Sequence, residues 1–210
     1  MSGVMGIDEA GRGPVFGPMV VAGVLAPKRE LGLGARDSKE LTRSARRRLI
    51  RALMSDERLR VDLRIVWPWE IDEEGVAKAE FEAIRELVRR AMPDEVILDK
   101  PGNYSPERLR RELDLPEGIN LIAEERADAK YEVVSAASIV AKTYRDWIVR
   151  LLELEYGEVG SGYPSDPRTV DRLRRELRRG GELLKYFRRS WETYKRVESE
   201  VKQRKLEDFF

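Results

Sequence analysis

The chain reads as an α/β protein, with a mixed five-stranded sheet, helices on both faces and a helical C-terminal extension. Three observations carry this reading. An initial run of strands comes first, helix and strand patterns then alternate, and helical patterns fill the rest of the chain. Val4–Asp8 is a short apolar stretch running into Asp8-Glu9-Ala10-Gly11-Arg12-Gly13-Pro14, and Val15–Ala26, β-branched and punctuated by glycine, is a second strand after a turn. Thr42–Met54, rich in Arg and Leu, predicts a helix with Thr42 as its N-cap. Val61–Val66 alternates Val, Leu and Ile with Asp and Arg, the two-residue period of a half-buried strand. From Ala77, the positions Phe81, Ile84, Val88 and Met92 keep helical spacing until Pro93. Val96–Leu98 is a buried strand ending at Asp99, before a loop at Pro101-Gly102, and Ile119–Ala123 is the fifth strand. Ala137, Val140, Tyr144, Ile148 and Leu151 mark a long amphipathic helix. The glycine-punctuated stretch from Glu155 to Pro164 begins the extension, which divides the chain into a domain at 1–158, a helical basic extension at 159–202 and a tail at 203–210.

Composition narrows the chemistry. The 210 residues suit one domain with a sizeable core, and 41% hydrophobic beside 38% charged residues describe a densely charged globular chain. The uncharged stretch Val15–Pro27 is too short to span a bilayer. No basic start, apolar run and small-residue cleavage site open the chain, so the cytosol is the expected location. His and Cys are both absent, which excludes Ser-His-Asp and Cys-His nucleophile systems, thiolate or imidazole zinc sites and disulfides. Any metal must be held by oxygen, which points to Mg²⁺ or Mn²⁺. Asn103, Asn120 and Gln203 are the only side-chain amides, and scarce thermolabile residues with abundant charge resemble hyperthermophile usage. The net charge of +1 conceals an asymmetry, because residues 166–205 carry 14 Lys/Arg against 7 Asp/Glu. Such a run is either a solvated helical face or a basic surface for a polyanion, beside an acidic body able to hold a metal.

Asp8-Glu9 stands where an apolar strand meets Gly11-Arg12-Gly13-Pro14. Adjacent residues on a strand point to opposite faces, so both serve one site only if the chain twists sharply there. The glycines permit such a bend and let backbone come close to a ligand. A dinucleotide loop fails, because its third glycine would fall at Phe16, and the Lys-Ser/Thr ending of a P-loop is missing. Asp99 ends a second apolar strand, and Asp128 lies just before the long helix; each taken alone is a common turn or capping residue. Together, four carboxylates at one sheet edge repel one another unless divalent cations neutralise them, and two such cations can activate water against a phosphodiester.

These residues, with Gly17-Pro18, Asp37-Ser38-Lys39, Ala127-Asp128-Ala129-Lys130-Tyr131, Ala136 to Lys142, Arg145-Asp146 and Gly160-Ser161-Gly162-Tyr163-Pro164, resemble ribonuclease HII, in particular its archaeal branch, in order along almost the whole chain. The resemblance implies an RNase H-like fold and a metal-dependent endoribonuclease acting on RNA/DNA hybrids and on single ribonucleotides in duplex DNA. The implied chemistry is in-line attack by a metal-bound water on the 5′ side of the ribonucleotide, leaving 3′-hydroxyl and 5′-phosphate ends. Asp8, Glu9, Asp99 and Asp128 match the four acidic metal-site positions. Gly11, Arg12 and Gly13 match the segment that reads the ribose 2′-hydroxyl, chiefly through backbone, and that hydroxyl is what separates RNA from DNA. Tyr163 matches the tyrosine at the ribonucleotide–deoxyribonucleotide junction, while Lys39, Ser138 and Lys142 match positions able to touch phosphates. Three residues depart from the pattern. Glu125 replaces a commonly basic residue, Glu132 replaces a proline after Tyr131, and Lys100 follows Asp99. Glu125 would add charge near the metal edge and Lys100 would offset it.

The chain ends Gln203-Arg204-Lys205-Leu206-Glu207-Asp208-Phe209-Phe210, and paired phenylalanines are unusual at a charged terminus. In a tight helical turn Leu206, Phe209 and Phe210 share one face with Gln203 as a polar anchor, a pattern resembling a sliding-clamp-binding peptide. The expected partners are therefore hybrid and ribonucleotide-containing DNA and a sliding clamp, for a monomer. Two alternatives stand beside this reading: a DNA-strand nuclease on the same fold, and a non-catalytic hybrid-binding adaptor of the clamp.

Overall fold

The computed structural model describes residues 3–32, 43–100 and 104–207, with no side chains given for 43–45, 47 and 204–207. Strands β1 (Val4–Ala10), β2 (Met19–Ala26), β3 (Arg60–Val66), β4 (Glu95–Asp99) and β5 (Asn120–Glu124) form one sheet in the order β3-β2-β1-β4-β5. β1 pairs antiparallel with β2 and parallel with β4, which in turn pairs parallel with β5. The expected mixed five-stranded sheet is therefore present. The helices are α1 (Arg43–Ser55), α2 (Pro68–Glu74), α3 (Val76–Ala91), α4 (Pro106–Glu112), α5 (Ala127–Lys130), α6 (Glu132–Tyr156), α7 (Pro167–Arg179) and α8 (Glu192–Glu207), with a 3₁₀ turn at Glu182–Tyr186. No helix among the described residues is long and apolar enough to cross a membrane.

Two compact units share the chain, and they interleave along it instead of meeting at a single boundary. The first comprises residues 1–10, 20–65 and 80–145; the second comprises 11–19, 66–79 and 146–210. In the first, β2 is buried along its whole length, as expected of an apolar strand with no polar alternation. Ala26, Ile97, Ala127, Val133 and Val134 form one of its core clusters, with Ile122 and Tyr131 packed against it. In the second, Val15, Phe16, Leu152, Val159, Leu173, Leu183, Phe187, Tyr194 and Val197 pack together.

Local differences from the sequence reading have identifiable causes. The second strand starts at Met19, not Val15, because Gly17 takes a φ of 85° and Pro18 has no N–H to offer a ladder. Helices α2 and α4 occupy stretches read as connections; each opens with proline at its first position, and Ser105 caps α4 by accepting the Arg108 N–H at 3.2 Å. Thr42 lies outside the described residues. Much of the basic charge near the C-terminus is engaged in ion pairs, including Arg172–Glu176, Arg174–Glu200, Arg196–Glu200 and Lys202–Glu198.

The approach of α6 to β1 is set by Gly6. A Cβ there would stand 2.3 Å from the carbonyl carbon of Val133, so only glycine admits the helix backbone this closely. Gly6→Ala is expected to cost about 3 kcal/mol, by overpacking against backbone that cannot yield. For a chain of this size that corresponds to a fall of roughly 6–12 °C in the thermal midpoint, measurable by circular dichroism.

Candidate active site

In the parallel ladder Ile7 lies opposite Leu98, so Asp8 and Asp99 are the next residues on neighbouring strands, at the carboxyl end of that ladder. Ligands of α/β sheets gather outside such ends. Asp8 and Glu9 both remain in the regular β1–β2 ladder, opposite Ala22 and Val21, so the expected sharp twist is absent, yet the Glu9 charge still acts on the Asp8 carboxyl. The Asp8 side chain instead folds over its own backbone, where Oδ1 accepts the Glu9 N–H at 2.8 Å.

The opening turns of α6 address Asp8. Ser138, fully buried, shares a hydrogen bond with the Asp8 carboxylate, and Lys142 Nζ, one turn further on, donates to Ser138 Oγ at 2.8 Å. Desolvation by the surrounding protein, and then the Glu9 charge, push the Asp8 pKa up from 3.8 to about 7. The Ser138 hydrogen bond, the Glu9 N–H and the Lys142 charge act in the opposite direction. Ser138 and Lys142, expected as phosphate contacts, are thus placed beside the first carboxylate.

Asp99 organises the next turn of chain. Its Oδ1 accepts the Arg126 N–H at 2.8 Å, and Arg126 takes the left-handed conformation (φ 57°) immediately before α5. That turn delivers Asp128 to the first turn of α5, where it is buried. Glu124 is a carboxylate the sequence reading passed over. It lies opposite Asp99 in the β4–β5 ladder, and a hydrogen bond from Lys130, then one from the Tyr131 hydroxyl at 3.1 Å, hold its pKa below the usual range. Its signal was available, since Glu124 closes the fifth strand just as Asp99 closes the fourth.

Among the described residues, no three Asp or Glu side chains converge closely enough to hold a metal ion together. The donors nonetheless suit a hard cation, being carboxylate oxygens only, with Asp8 and Glu9 in direct electrostatic conflict. Of the departures from the family pattern, Glu132 has a clear structural role. Its Oε2 accepts the N–H groups of Leu31 and Gly32 at 2.6 and 2.8 Å, fixing that stretch to the start of α6. Lys100 donates its backbone N–H to the Glu124 carbonyl at 3.0 Å, and Glu125 is exposed.

In the second unit the glycine loop is tied to its surroundings through main chain. Gly162 accepts the N–H groups of Val15 and Phe16 at 2.9 and 3.2 Å, and a φ of 79° allows it to do so. Gly11 also has a positive φ, 93°. A Cβ on Gly13 would stand 3.5 Å from Cε1 of Tyr163, whose ring is 45% exposed. Sequence reasoning passed over Arg188 and Trp191 here. The buried Arg188 guanidinium donates to the carbonyls of Gly11, Arg12 and Gly17, and Trp191 Nε1–H donates to that of Gly13 at 3.0 Å. Gln203 is exposed on α8. Lys39, Phe209, Phe210 and the side chain of Leu206 lie outside the described residues.

Comparison with known proteins agrees with this arrangement. The family model for Ribonuclease HII matches residues 5–194. The Ribonuclease HII of Thermococcus onnurineus is 42% identical over 98% of this chain and 97% of its own length. The crystal structure of the ribonuclease H2 from Pyrococcus horikoshii OT3 superposes with a TM-score of 0.80 at 36% identity, covering 95% of this chain and 98% of that one. The RNase HII in a PCNA:RNase HII complex from Archaeoglobus fulgidus does so at the same score and identity, covering 90% of this chain and 95% of that one. With a mixed sheet of the RNase H-like kind and relatives matched nearly end to end, the chain belongs to the ribonuclease HII family and is a ribonuclease, a hydrolase of phosphodiester bonds.

Proposed function

We propose that the enzyme is an endoribonuclease that cuts the RNA strand of RNA/DNA hybrids and single ribonucleotides embedded in duplex DNA, 5′ to the ribonucleotide, leaving 3′-hydroxyl and 5′-phosphate ends. The observation that carries this reading is the β1–β4 register, which makes Asp8 and Asp99 neighbours at the end of the parallel ladder. Asp8, Glu9, Asp99 and Asp128 would hold Mg²⁺ or Mn²⁺. When bound, such ions lower the pKa of a water and stabilise the leaving oxygen. The chain's own residues set the carboxylates in place, since Ser138 and Lys142 hold Asp8 and Asp99 fixes the turn that leads to Asp128. Backbone at Gly11, Arg12 and Gly13 would test for the 2′-hydroxyl, Tyr163 would lie against the junction, and Lys39 would contact phosphate. Residues 1–158 would carry the chemistry, 159–202 would support duplex binding, and the 203–210 tail would dock on the clamp. The Archaeoglobus fulgidus relative solved with PCNA supports that last assignment.

Replacing Asp8 or Asp99 with Asn is expected to lower kcat by about 10³-fold or more at saturating Mg²⁺. Hybrid affinity, which comes mainly from phosphate contacts, should stay within about threefold. In the presence of chelator Asp8→Asn should raise the thermal midpoint by roughly 2–4 °C, because it removes one of the repelling charges. Turnover close to that of the parent in either variant would overturn the site.

Tyr163→Ala should lower kcat/KM on a duplex with one embedded ribonucleotide by about tenfold more than on a long hybrid, since only the former always presents the junction and a ring–nucleotide stack is worth about that much. Equal losses on both substrates would assign the ring to general binding.

Phe209→Ala with Phe210→Ala should abolish calorimetrically measurable clamp binding, because buried aromatic anchors cost about 2 kcal/mol or more each when truncated. Cleavage of short duplexes without clamp should be unchanged. Clamp binding as tight as the parent's would show that the tail does not dock there.

A further inference from the structure

The second unit contains a fully buried guanidinium, that of Arg188, which the chemistry above does not use. Every hydrogen bond described for this side chain ends on a main-chain carbonyl of the glycine loop. Nη1 donates to Arg12 at 2.8 Å, Nη2 to Gly11 and to Gly17 at 3.1 Å, and Nε to Gly17 at 3.3 Å. The Arg188 N–H adds a bond to the Val15 carbonyl at 2.8 Å. Trp191 completes the cradle: its ring lies 4.8 Å from the guanidinium carbon, and its Nε1–H takes the Gly13 carbonyl. Bonds from a charged donor are stronger than neutral ones, and a planar fork fixes direction as well as distance.

Capturing carbonyls orients the amides between them. A trans peptide is planar, with its C=O and N–H on opposite sides, and the chain has no cis peptide among the described residues. With the Gly11 carbonyl turned toward Arg188, the Arg12 N–H points the other way; with the Arg12 carbonyl held, so does the Gly13 N–H. Gly13, whose own carbonyl Trp191 takes, is followed by Pro14, which has no N–H to aim. Gly13 is exposed and borders the exposed Tyr163 ring.

We propose that Arg188, assisted by Trp191, is a positioning residue for ribose recognition: it holds three carbonyls of the Gly11–Gly17 loop so that the Arg12 and Gly13 amides face the 2′-hydroxyl. The proposal rests on the reading of Gly11–Gly13 as the ribose-testing segment. Lys at position 188 keeps the charge but offers a single point of donation, so it cannot hold three carbonyls in one plane.

The test measures two dissociation constants in Mg²⁺ buffer, on an Asp99→Asn background that does not turn over. One duplex carries a single ribonucleotide, and the other is the same duplex entirely in DNA. The parent background is expected to prefer the ribonucleotide duplex by about tenfold or more, a hydrogen-bond-dependent preference. Arg188→Lys should bring that ratio to within about threefold of unity while the all-DNA constant stays in place, because phosphate contacts are untouched. Trp191→Phe, which keeps an aromatic ring but lacks the indole N–H, should lower the ratio by about two- to fivefold, as the loss of one hydrogen bond does. A general loss of fold would weaken both duplexes together and leave the ratio alone. A parent that shows no preference overturns the reading of the loop, and this proposal with it. A preference that Arg188→Lys retains overturns the role of Arg188 alone. If Arg188→Lys does not fold, Trp191→Phe decides: a lowered ratio supports the proposal and an unchanged one overturns it.

Discussion

Negative charge gathered at the carboxyl ends of parallel strands is the constraint that orders the first unit. Asp99 and Glu124 close neighbouring strands and Asp8 follows the last residue of β1 paired with β4, so the sheet itself brings carboxylates together. Each is met by a protein donor: Ser138 for Asp8, the Arg126 N–H for Asp99, Lys130 and Tyr131 for Glu124. These donors also shape the chain. The Arg126 amide bond holds a left-handed residue in place and thereby starts α5, and the Asp8–Ser138–Lys142 series ties α6 to the central strand. Gly6 is part of the same arrangement, because without its close approach Ser138 would stand too far from β1 to serve.

The elements most visible in the sequence were those with a regular or unbroken apolar pattern. Val61–Val66 alternates, α3 keeps its apolar spacing, and the short run Val96–Leu98 is uniformly buried; each forms within a residue or two of the expected bounds. What stayed hidden followed from different physics. Proline opens α2 and α4, and the same residue type also punctuates loops, so Trp67-Pro68 and Ser105-Pro106 were ambiguous until capping was seen. Val15 and Phe16 look like strand residues because they are apolar, yet their burial is in a core that Phe187 and Val197 complete from far along the chain.

At the candidate site, carboxylates at strand ends were legible one by one, because a charged residue closing an apolar run is conspicuous. Their partners were not. Ser138 and Lys142 sit on a helix whose distance from Asp8 depends on a glycine in a strand, a relation no local pattern expresses. Arg188 was equally invisible, since in sequence it is one of 14 basic residues in a stretch that reads as a solvated face, whereas in the fold it is the largest fully buried side chain among the described residues. A census of charge cannot separate an arginine that meets water from one that meets carbonyls.

The way the glycine loop is held has a consequence for how such a loop can change over evolutionary time. Its anchors from Arg188, Trp191 and Gly162 are all made to main-chain atoms, beside the core packing of the Val15 and Phe16 side chains. Wherever glycine geometry is not itself required, the loop's outward-facing side chains can drift while its course persists. At Arg12 it is the carbonyl that Arg188 holds. Shape and surface chemistry are thereby inherited separately, and selection can retune the second without disturbing the first.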